Sequence, residues 1–461
     1  MTALTMKTSS YRDFIVSKSQ HGKGDGFEPN WIPDCAFDFQ KHCIDWSVRK
    51  GRAALYQDCG MGKSLQELAW CENVVRHTNK PVLLATPIAV GPQFIKEATK
   101  FGVDAELIRD GKKPTSPKVY ISNYEQLHKF DPADFAAFAG DEFSCVKDSK
   151  SERKQVVKEF TRNMRYRMGA TATPSPNDFF ELGNASEILG YLGFRDMLTM
   201  FFREEIKTDM LGWNRTKYRF RGHAEQPFWS WVCSWARALR KPSDLGFSDD
   251  KFVLPELIER EIVVDTVKAR PGQLFPVPAK SLPEQRAERR HSLNERCEKA
   301  AELANAHNGS VSIWCELNDE GTLLRKMLKD SVEVSGSMKD EQKEENFEAF
   351  SSGQIKNIIL KPKIGAYGLN WQHCHRAIVF PSNSFEQYYQ LVRRHYRFGQ
   401  KEKVEVDLIV SEGEVGITKN LQRKQSQATR MFESLVKHMH DALSLTSDDS
   451  FPCEEERPSW L

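Results

Sequence analysis

Short apolar segments alternate with longer segments of helical spacing along most of this chain. In the first half the apolar segments lie at 53–56, 82–87, 119–122, 135–140 and 166–170. Their length and composition predict buried strands, and the amphipathic stretches between them predict helices that cover both faces of a parallel sheet. Residues 37–46 repeat aromatic and apolar positions at helical spacing, so we expect a helix ahead of the first strand.

The second half of the chain repeats this alternation. Its apolar segments lie at 311–315, 332–334, 358–360, 377–380 and 404–409, after a charged helical stretch at 284–307. Strands that alternate with helices indicate a second unit built on a parallel sheet. The fold class that the pattern predicts is α/β, with two parallel-sheet lobes in tandem.

The region between the two lobes has a different composition. Four of the ten tryptophans lie between 195 and 245, and residues 203–241 contain nine Lys or Arg against four Asp or Glu. Interleaved aromatic and basic side chains suit base stacking and phosphate contact. The alternative is an insert whose tryptophans are core and whose basic residues are a solvated face. We expect a helical, Trp- and Arg-rich insert, in which core packing is favoured for each tryptophan and nucleic-acid contact for the basic face.

These changes in pattern divide the chain into five segments. They are a flexible arm at 1–30, a first lobe at 31–194, the insert and a proline-rich linker at 195–282, a second lobe at 283–437 and an acidic mobile tail at 438–461. A chain of 461 residues is too long for one ordinary core, which agrees with two large lobes.

Charge and cysteine content narrow the class of protein further. The chain carries 66 Lys or Arg against 64 Asp or Glu, a formal net charge of +2, so a site for a polyanion must be a local groove. No apolar run reaches the ~18–20 residues that a membrane helix needs. Ten cysteines without a Cys-x-x-Cys pair indicate a reducing compartment. We therefore expect a soluble, cytoplasmic protein that makes no membrane contact.

A glycine-rich loop follows the first predicted strand. Residues 58–64 read Asp-Cys-Gly-Met-Gly-Lys-Ser and lead directly into a helical stretch. Phosphate oxygens need backbone N–H groups at close range, and Gly60 and Gly62 leave room for that approach. Lys63 can reach the β- and γ-phosphates, and the Ser64 hydroxyl can ligate Mg²⁺. The loop therefore predicts a site for a nucleotide phosphate.

Two carboxylates follow the strand predicted at 135–140. Asp141 and Glu142 come at its carboxyl end, the edge of a parallel sheet at which ligands bind. A nucleotide-bound Mg²⁺ needs an acidic partner, and an attacking water needs a carboxylate that orients it. We assign the first role to Asp141 and the second to Glu142.

A basic helical segment lies late in the second lobe. Residues 390–400 read Gln-Leu-Val-Arg-Arg-His-Tyr-Arg-Phe-Gly-Gln, so Arg394 and Arg397 are three apart and share one helix face. Two guanidiniums presented together match the oxygens of a transferring γ-phosphoryl group. This segment therefore predicts a second half of the nucleotide site.

Each motif alone has an ordinary structural alternative. The complete phosphate-loop pattern has a further glycine where this chain has Tyr56, so the loop can also be a surface turn. The Asp-Glu pair can be an exposed turn, and the arginines can belong to a basic surface helix. Only the combination separates these alternatives from a nucleotide site.

Taken in order, six elements resemble the motif series of superfamily 2 helicases, most closely the Swi/Snf-like branch and its compact phage-borne relatives. They are the helix that holds Gln40, Gly-x-Gly-Lys-Ser at 60–64, Ala-Thr-Pro at 85–87, Asp-Glu at 141–142, Thr-Ala-Thr-Pro at 171–174 and Gln-x-x-x-Arg-x-x-Arg-x-Gly-Gln at 390–400. The series spans most of the chain and is far more specific than any single element.

The resemblance implies two RecA-like lobes that hold ATP and Mg²⁺ between them. Gln40 would contact the adenine, and Lys63 and Ser64 would hold the phosphates and Mg²⁺. Asp141 and Glu142 correspond to the hydrolytic carboxylates of the family's DEAD/DEAH-type box, with Asp141 also at the metal.

The resemblance also implies roles for the remaining motifs. Thr171 and Thr173 would couple hydrolysis to lobe movement. The nucleic-acid contacts would be Thr86, Asn123, Tyr124 and Asn370. In the second lobe the nucleotide would meet Gly368, the arginine fingers Arg394 and Arg397, and Gln400. Gly368 belongs to a Gly-x-x-Gly-x-Asn element that begins at Gly365 and ends at Asn370.

Three positions depart from the family pattern. The acidic box ends in Ser144 instead of histidine, which puts one contact between the lobes in doubt, although the serine hydroxyl can replace part of it. Lys361 and Pro362 stand where Ser-Thr is usual, and Pro381 stands where larger members tend to carry aspartate. None of these changes touches the phosphate, Mg²⁺ or arginine positions.

The function that we expect is an ATP-dependent translocase or helicase that acts on duplex or forked DNA as a monomer. In a phage-borne member this would take place in the host-cell cytoplasm. One alternative is an RNA-dependent or strand-separating helicase. Another is a nucleotide-gated DNA-binding scaffold that recruits replication, recombination or repair proteins and uses ATP only as a switch.

Overall fold

The apolar segments of the first half form one parallel sheet in a computed structural model, which describes residues 25–208, 214–265, 281–365 and 370–446. The elements of this first lobe are α1 Asp38–Lys50, β1 Arg52–Gln57, α2 Lys63–Thr78, β2 Val82–Thr86, α3 Gly91–Phe101, β3 Ala105–Leu107, β4 Val119–Asn123, β5 Ala137–Gly140, α4 Glu152–Thr161, β6 Tyr166–Thr171, α5 Leu182–Leu189, α6 Phe194–Phe201, β7 Phe202–Thr208, β8 Asn214–Phe220, α7 Glu225–Cys233 and β9 Ala236–Leu239.

Seven of these strands pair in the order β3-β4-β2-β5-β6-β1-β9, and every pair is parallel. Every residue of β2, β5 and β6 is buried, because helices cover both faces of the sheet. The carboxyl ends of the strands meet at one edge, where Tyr56 pairs with Thr171 and Thr86 with Asn123. The motifs that follow those strands are therefore neighbours.

The second lobe repeats this architecture. Its elements are β10 Leu257–Val264, α8 Leu282–His291, α9 Leu293–Ala306, β11 Val311–Trp314, α10 Asn318–Met327, β12 Ser331–Val334, α11 Asp340–Ser351, β13 Asn357–Leu360, α12 Pro362–Gly365, β14 Arg376–Val379, α13 Phe385–His395, β15 Val404–Ser411 and α14 Val415–Thr446. The strand order is β10-β15-β14-β11-β13-β12, again with parallel pairs only. The prediction of an α/β fold with two tandem parallel-sheet lobes is confirmed.

The region predicted as an insert at 195–282 contains helices α6 and α7, but it also contains strands. Strand β9 extends the first sheet beside β1, and β10 extends the second sheet beside β15. The sequence pattern did not predict β9, because Arg237 interrupts its short apolar run. That guanidinium is buried and lies 4.1 Å from the centre of the half-buried Trp46 ring. Part of the insert predicted at 195–282 therefore belongs to the sheets of the two lobes.

The tryptophans of this region belong to the core of the first lobe. Trp229, Trp231 and Trp235 are all buried, at no more than 6% exposure. The core alternative is therefore correct for these three side chains, and base stacking on them is excluded. Trp213, the linker residues 266–280 and most of the N-terminal arm lie outside the described residues.

Helix α14 connects the two lobes over its length of 32 residues. Its beginning contributes Ile417 and Leu421 to the core of the second lobe, and a later stretch contributes Phe432 and Leu435 to the core of the first. The helix continues through residues 438–446, where the sequence predicted the start of a mobile tail, and the rest of that segment lies outside the described residues. None of the described helices is long and apolar enough to cross a membrane.

His395 joins three elements inside the second lobe. Its Nε2 atom lies 2.9 Å from the Ser312 hydroxyl on β11, and its Nδ1 atom lies 3.0 Å from the Cys374 carbonyl oxygen. Burial lowers the pKa of this imidazole to about 4, and the nearby cationic groups of His373 and Arg394 act in the same direction. The ring is therefore neutral at neutral pH.

We expect His395 to make the second lobe sensitive to acid. The unfolded chain binds a proton at this ring near pH 6.5 and the folded chain near pH 4, so stability is full above pH 6.5 and falls between the two values. The loss is ~3 kcal/mol. Urea unfolding at pH 7 and pH 4.5 measures it, and the variant His395→Asn should lose less stability over this range than the wild type does. An equal loss in both proteins would contradict the assignment.

Candidate active site

The phosphate loop joins the end of β1 to the start of α2. Gly60 and Gly62 have φ angles of +88° and +76°, a region that residues with a side chain rarely adopt. A Cβ atom on Gly62 would lie 2.3 Å from Gln40 Nε2, and one on Gly60 would lie 2.9 Å from the backbone nitrogen of Phe398. Both conformation and space therefore require glycine. The loop leaves the N-terminus of a 16-residue helix open to an anion.

Lys63 lies at the first position of α2 and points back over the loop. Its Nζ atom donates to the carbonyl oxygens of Gln57 at 3.0 Å and Asp58 at 3.3 Å. Gln40 supports the loop from α1, because its Nε2 atom donates to the Met61 carbonyl at 2.9 Å. The ammonium group can exchange these carbonyls for phosphate oxygens without a change of backbone.

Asp141 and Glu142 lie at the carboxyl end of β5, as the sequence predicted. Asp141 accepts a hydrogen bond of 3.1 Å from the Thr86 hydroxyl. Burial raises the pKa of Asp141 to about 7, the Glu142 charge adds to this shift, and Lys63 opposes it. A cation bound beside Asp141 would favour its ionised form.

Glu142 adopts a left-handed backbone conformation with a φ of +46°, which is uncommon for a residue with a side chain. Burial raises the pKa of its carboxyl group, while Lys63 and Arg394 act to lower it. The carboxylate also lies 3.4 Å from the Thr171 hydroxyl, which in turn accepts from the backbone N–H of Thr173 at 3.1 Å. Of the two predicted coupling residues, Thr171 contacts the predicted catalytic carboxylate and Thr173 contacts Thr171.

The second lobe reaches Glu142 through helix α13. Gln390 Nε2 donates to the two carboxylate oxygens of Glu142 at 3.3 and 3.2 Å. Arg394 Nη2 donates to Gln390 Oε1 at 3.2 Å. A chain of hydrogen bonds thus runs from the predicted catalytic carboxylate to a predicted arginine finger in the other lobe.

A cleft of about 520 Å³ lies between the lobes at this point. Most of the residues predicted for the nucleotide site line it: Gln40, Gly60, Gly62, Lys63, Ser64, Asp141, Glu142, Arg394 and Arg397. Asn370 is exposed and also lines this cleft, so the structure places it beside the nucleotide residues and away from the expected nucleic-acid contacts.

One predicted nucleotide residue of the second lobe, Gln400, does not line the cleft. Gln400 is buried, its Nε2 atom donates to the carbonyls of Gln372 and His395, and its Oε1 atom accepts from two backbone N–H groups. It stabilises the loop after α13 and does not line the cleft. Gly365 ends helix α12, and Gly368 lies outside the described residues.

Two of the predicted nucleic-acid contacts are buried. Thr86 is 1% exposed and donates to Asp141, and Tyr124 is 4% exposed and donates to the Asp141 carbonyl at 2.6 Å. Asn123 accepts from the backbone N–H of Gln126 at 3.0 Å and starts a short helical turn. The burial of Thr86 and Tyr124 contradicts side-chain contact with a strand, because both side chains are used to hold the acidic motif.

Sequence reasoning missed an ion pair between the lobes. Arg393 Nη2 lies 2.5 Å from Asp58 Oδ2, and the Tyr389 hydroxyl donates to the other oxygen of the same carboxylate. Asp58 precedes the phosphate loop, and the other two residues belong to α13. No local sequence pattern predicts an ion pair between residues so far apart, and Arg393 is one of several cations in the basic segment at 390–400.

A second bridge between the lobes includes Ser144. Its hydroxyl donates to Glu386 Oε1 at 2.7 Å, and Lys147 pairs with the other oxygen of that carboxylate. The expectation that Ser144 can make a contact between the lobes in place of histidine is confirmed. Both bridges end on α13, the helix that also carries Gln390 and Arg394. Because this helix ends at His395, Arg397 lies in the loop after it and does not share a helix face with Arg394 as the sequence predicted.

One further acidic residue lies behind the phosphate loop. Glu67 on α2 is fully buried, and neither of its carboxylate oxygens has a hydrogen-bond partner among the described residues. Burial, together with the Asp141 charge, raises the pKa of this carboxyl well above its usual range. The described residues contain no group of three His, Cys, Asp or Glu side chains that could hold a metal ion unaided. A Mg²⁺ site here would therefore use phosphate oxygens besides Ser64 and Asp141.

We expect the Asp58–Arg393 pair to couple the stabilities of the two lobes. A double-mutant cycle with Asp58→Ala and Arg393→Ala, read by thermal unfolding, should give a coupling of ~1–3 kcal/mol because the pair is largely buried. A cycle on the exposed pair Glu125–Arg153 is the control and should give below ~1 kcal/mol. Equal coupling in the two cycles would show that the buried pair does not join the lobes.

Comparison with known proteins agrees with the second half of the site. Residues 295–399 match the family model for the helicase conserved C-terminal domain. No curated protein matches the chain. Among solved structures, the chain is similar to the Sulfolobus solfataricus SWI2/SNF2 ATPase core in complex with dsDNA. The identity is 17%, the match covers 89% of this chain and 96% of that one, and the TM-score is 0.42.

The matched segment begins within α9 and ends at residue 399, just after α13 and the predicted arginine fingers. It therefore contains Arg394 and Arg397, which face the phosphate loop across the cleft. The family match, the two parallel-sheet lobes and the cleft between them agree with the ordered motifs, and residues 295–399 are similar to the helicase conserved C-terminal domain.

Proposed function

We propose that this protein is an ATP-driven translocase of the Swi/Snf-like type, which moves along duplex DNA or remodels it. The observation that carries the proposal is the composition of the cleft. A phosphate loop from one lobe and an arginine pair from the other face the same space, so hydrolysis depends on both lobes being in place.

The first lobe binds the phosphates of ATP. The backbone N–H groups of the loop face the β-phosphate, and Lys63 exchanges its two carbonyl partners for phosphate oxygens. Mg²⁺, when bound with the nucleotide, neutralises charge on the phosphates, and Ser64 and Asp141 are the residues that would hold it. The glycine conformations fit this role, because Gly60 and Gly62 have positive φ angles and a side chain there would collide with Phe398 or Gln40 and displace the loop.

Glu142 orients the attacking water and accepts its proton. Burial raises the pKa of the carboxyl group, which makes it a better base than an exposed glutamate, and Lys63 and Arg394 oppose part of that rise. Gln390 fixes the direction of the carboxylate from the second lobe. Arg394 and Arg397 stabilise the charge that develops on the γ-phosphoryl group.

Coupling to movement follows from the contacts across the cleft. Thr171 and Gln390 touch Glu142 from the two lobes, so a change at the γ-phosphate alters the contact between the lobes directly. The contacts that Asp58 and Glu386 make between the two lobes are polar and can break and re-form. Each cycle would close and reopen the cleft.

A second groove between the lobes supports contact with a nucleic-acid backbone. It has a volume of about 460 Å³ and receives Lys147 and Arg153 from the first lobe and Lys363 from the second. Pro87 and Ile88 form its wall, and Ile88 is 60% exposed. Because Thr86 and Tyr124 are buried, we propose this groove in their place as the surface that contacts nucleic acid. Glu125 and Glu386 also line this groove and pair with Arg153 and Lys147, so a nucleic-acid strand would exchange these carboxylates for its own phosphates when the lobes shift.

We expect ATP turnover to be stimulated by duplex DNA and to displace a third strand from a triplex. A translocase removes the third strand only with hydrolysable ATP, whereas a nucleotide-gated scaffold leaves the triplex intact. A fork substrate and an RNA duplex in the same assay distinguish strand separation and RNA dependence. Equal turnover with and without nucleic acid would overturn the proposed coupling.

Substitutions should separate binding from turnover. Lys63→Ala should weaken ATP binding, whereas Glu142→Gln should bind ATP normally and stop turnover. Arg397→Ala should lower turnover by ~10³-fold or more with little change in ATP affinity, because an arginine finger acts mainly in the transition state. Turnover assays and equilibrium binding of a fluorescent ATP analogue provide the two readouts.

The matched control for these substitutions is Arg162→Ala. Arg162 is an exposed arginine of the first lobe that follows α4 and does not line the cleft. Its replacement should leave both readouts unchanged. A normal turnover rate in Arg397→Ala would contradict the finger assignment.

A further inference from the structure

Strands β7 and β8 form a two-stranded antiparallel sheet that belongs to neither lobe sheet. One face of this hairpin is aromatic and packs on the first lobe. Phe202 stacks on Phe220 with ring centres 4.7 Å apart, Phe220 stacks on Phe179 at 6.0 Å, and Tyr218 contacts Phe180 at 5.1 Å. The alternation of side chains along a strand therefore turns the intervening residues outward.

The outward face of the hairpin is basic. Arg203 and Arg219 are directly opposite each other in the register, and their side chains are 62% and 55% exposed. Lys217 is exposed on the same face and pairs in register with Glu205, the one carboxylate there among the described side chains. The backbone register continues the alternation to the pair of positions 207 and 215, where the sequence has Lys and Arg.

This arrangement is unfavourable for the hairpin alone. Like charges directly opposite each other destabilise an antiparallel pair. Glu205 relieves only part of the repulsion, since it lies 2.9 Å from Arg219 and 3.4 Å from Arg203 and is a single charge between two. Residues 202–208 and 214–221 contain six Lys or Arg against two Glu, an excess of four, which exceeds the net charge of +2 of the whole chain. A polyanionic partner would remove the repulsion.

The hairpin packs on the short helical turn Phe179–Glu181, because Phe220 stacks on Phe179 and Tyr218 contacts Phe180. Lys217 acts to lower the pKa of Asp178 before this turn, and Lys147, which lines the groove, acts to lower the pKa of Glu181 at its end. The turn therefore lies between the hairpin and a cation of the groove.

We propose that the basic face of this hairpin binds the phosphates of a nucleic-acid backbone beside the groove. The proposal rests on the proposed function only in that the substrate is a nucleic acid. Successive cations on one face of a strand are ~7 Å apart, an extended spacing that suits a linear polyanion. The described aromatic side chains of the hairpin all pack inward, so the face offers charge without base stacking, and its binding is independent of sequence.

The salt dependence of DNA binding tests this assignment. We compare the full chain with the double variant Lys217→Ala/Arg219→Ala by anisotropy of a fluorescent duplex over a range of KCl concentrations. Each lost phosphate contact removes ~0.9 from the slope of log K against log salt, so the variant should bind more weakly with a slope smaller by about two. Turnover of ATP without DNA should stay at the wild-type value, which shows that the variant is folded.

Two controls make the result specific. The double variant Lys113→Ala/Arg162→Ala removes two exposed cations from loops that precede the strands of the first sheet, and it should keep the wild-type slope. The variant Lys217→Arg/Arg219→Lys preserves both charges and should restore it. An unchanged slope and affinity in Lys217→Ala/Arg219→Ala would overturn the hairpin proposal and leave the proposed function standing. A wild-type protein that does not bind nucleic acid at all would overturn both.

Discussion

The account depends on the polar contacts that one helix, α13, makes with the first lobe. Glu386, Tyr389, Gln390 and Arg393 of this helix bond to Ser144, Asp58 and Glu142, all near the carboxyl edge of the first sheet. Each lobe has its own apolar cores, so these contacts are not part of a shared hydrophobic core. Polar contacts of this kind can be exchanged for contacts to a phosphate at modest cost, which is what a cleft that opens and closes requires.

Helix α14 imposes the opposite constraint. It starts in the core of the second lobe and ends in the core of the first, and Arg240 of the first lobe donates to its Thr429 carbonyl at 2.8 Å. The lobes can therefore shift relative to each other only as far as this continuous helix allows. Polar contacts that can break at α13, together with the packed helix α14, favour a hinge-like movement over separation of the lobes.

The sequence predicted the parts of the site that depend on a local requirement, such as the burial of an apolar run or a glycine in a tight loop. Runs of apolar residues must be buried on both faces, so the strands were found, and the phosphate loop was found because only glycine fits Gly60 and Gly62. The burial of Thr86 and Tyr124 was not predicted, since a polar residue after a strand reads the same whether it faces solvent or a neighbouring carboxylate. The Asp58–Arg393 pair joins residues 335 positions apart, and no periodicity records such a contact. The hairpin was missed because its alternation of basic and aromatic residues was interpreted as a helical insert.

The central claim is that one nucleotide engages both lobes. Hydrogen exchange on the Glu142→Gln variant tests it most directly, with Mg-ATP added in the presence of duplex DNA and a sample without nucleotide for comparison. The account predicts slower exchange both in the loop at 58–64 and in the last turn of helix α13. Protection of the loop alone, with α13 unchanged, would contradict it.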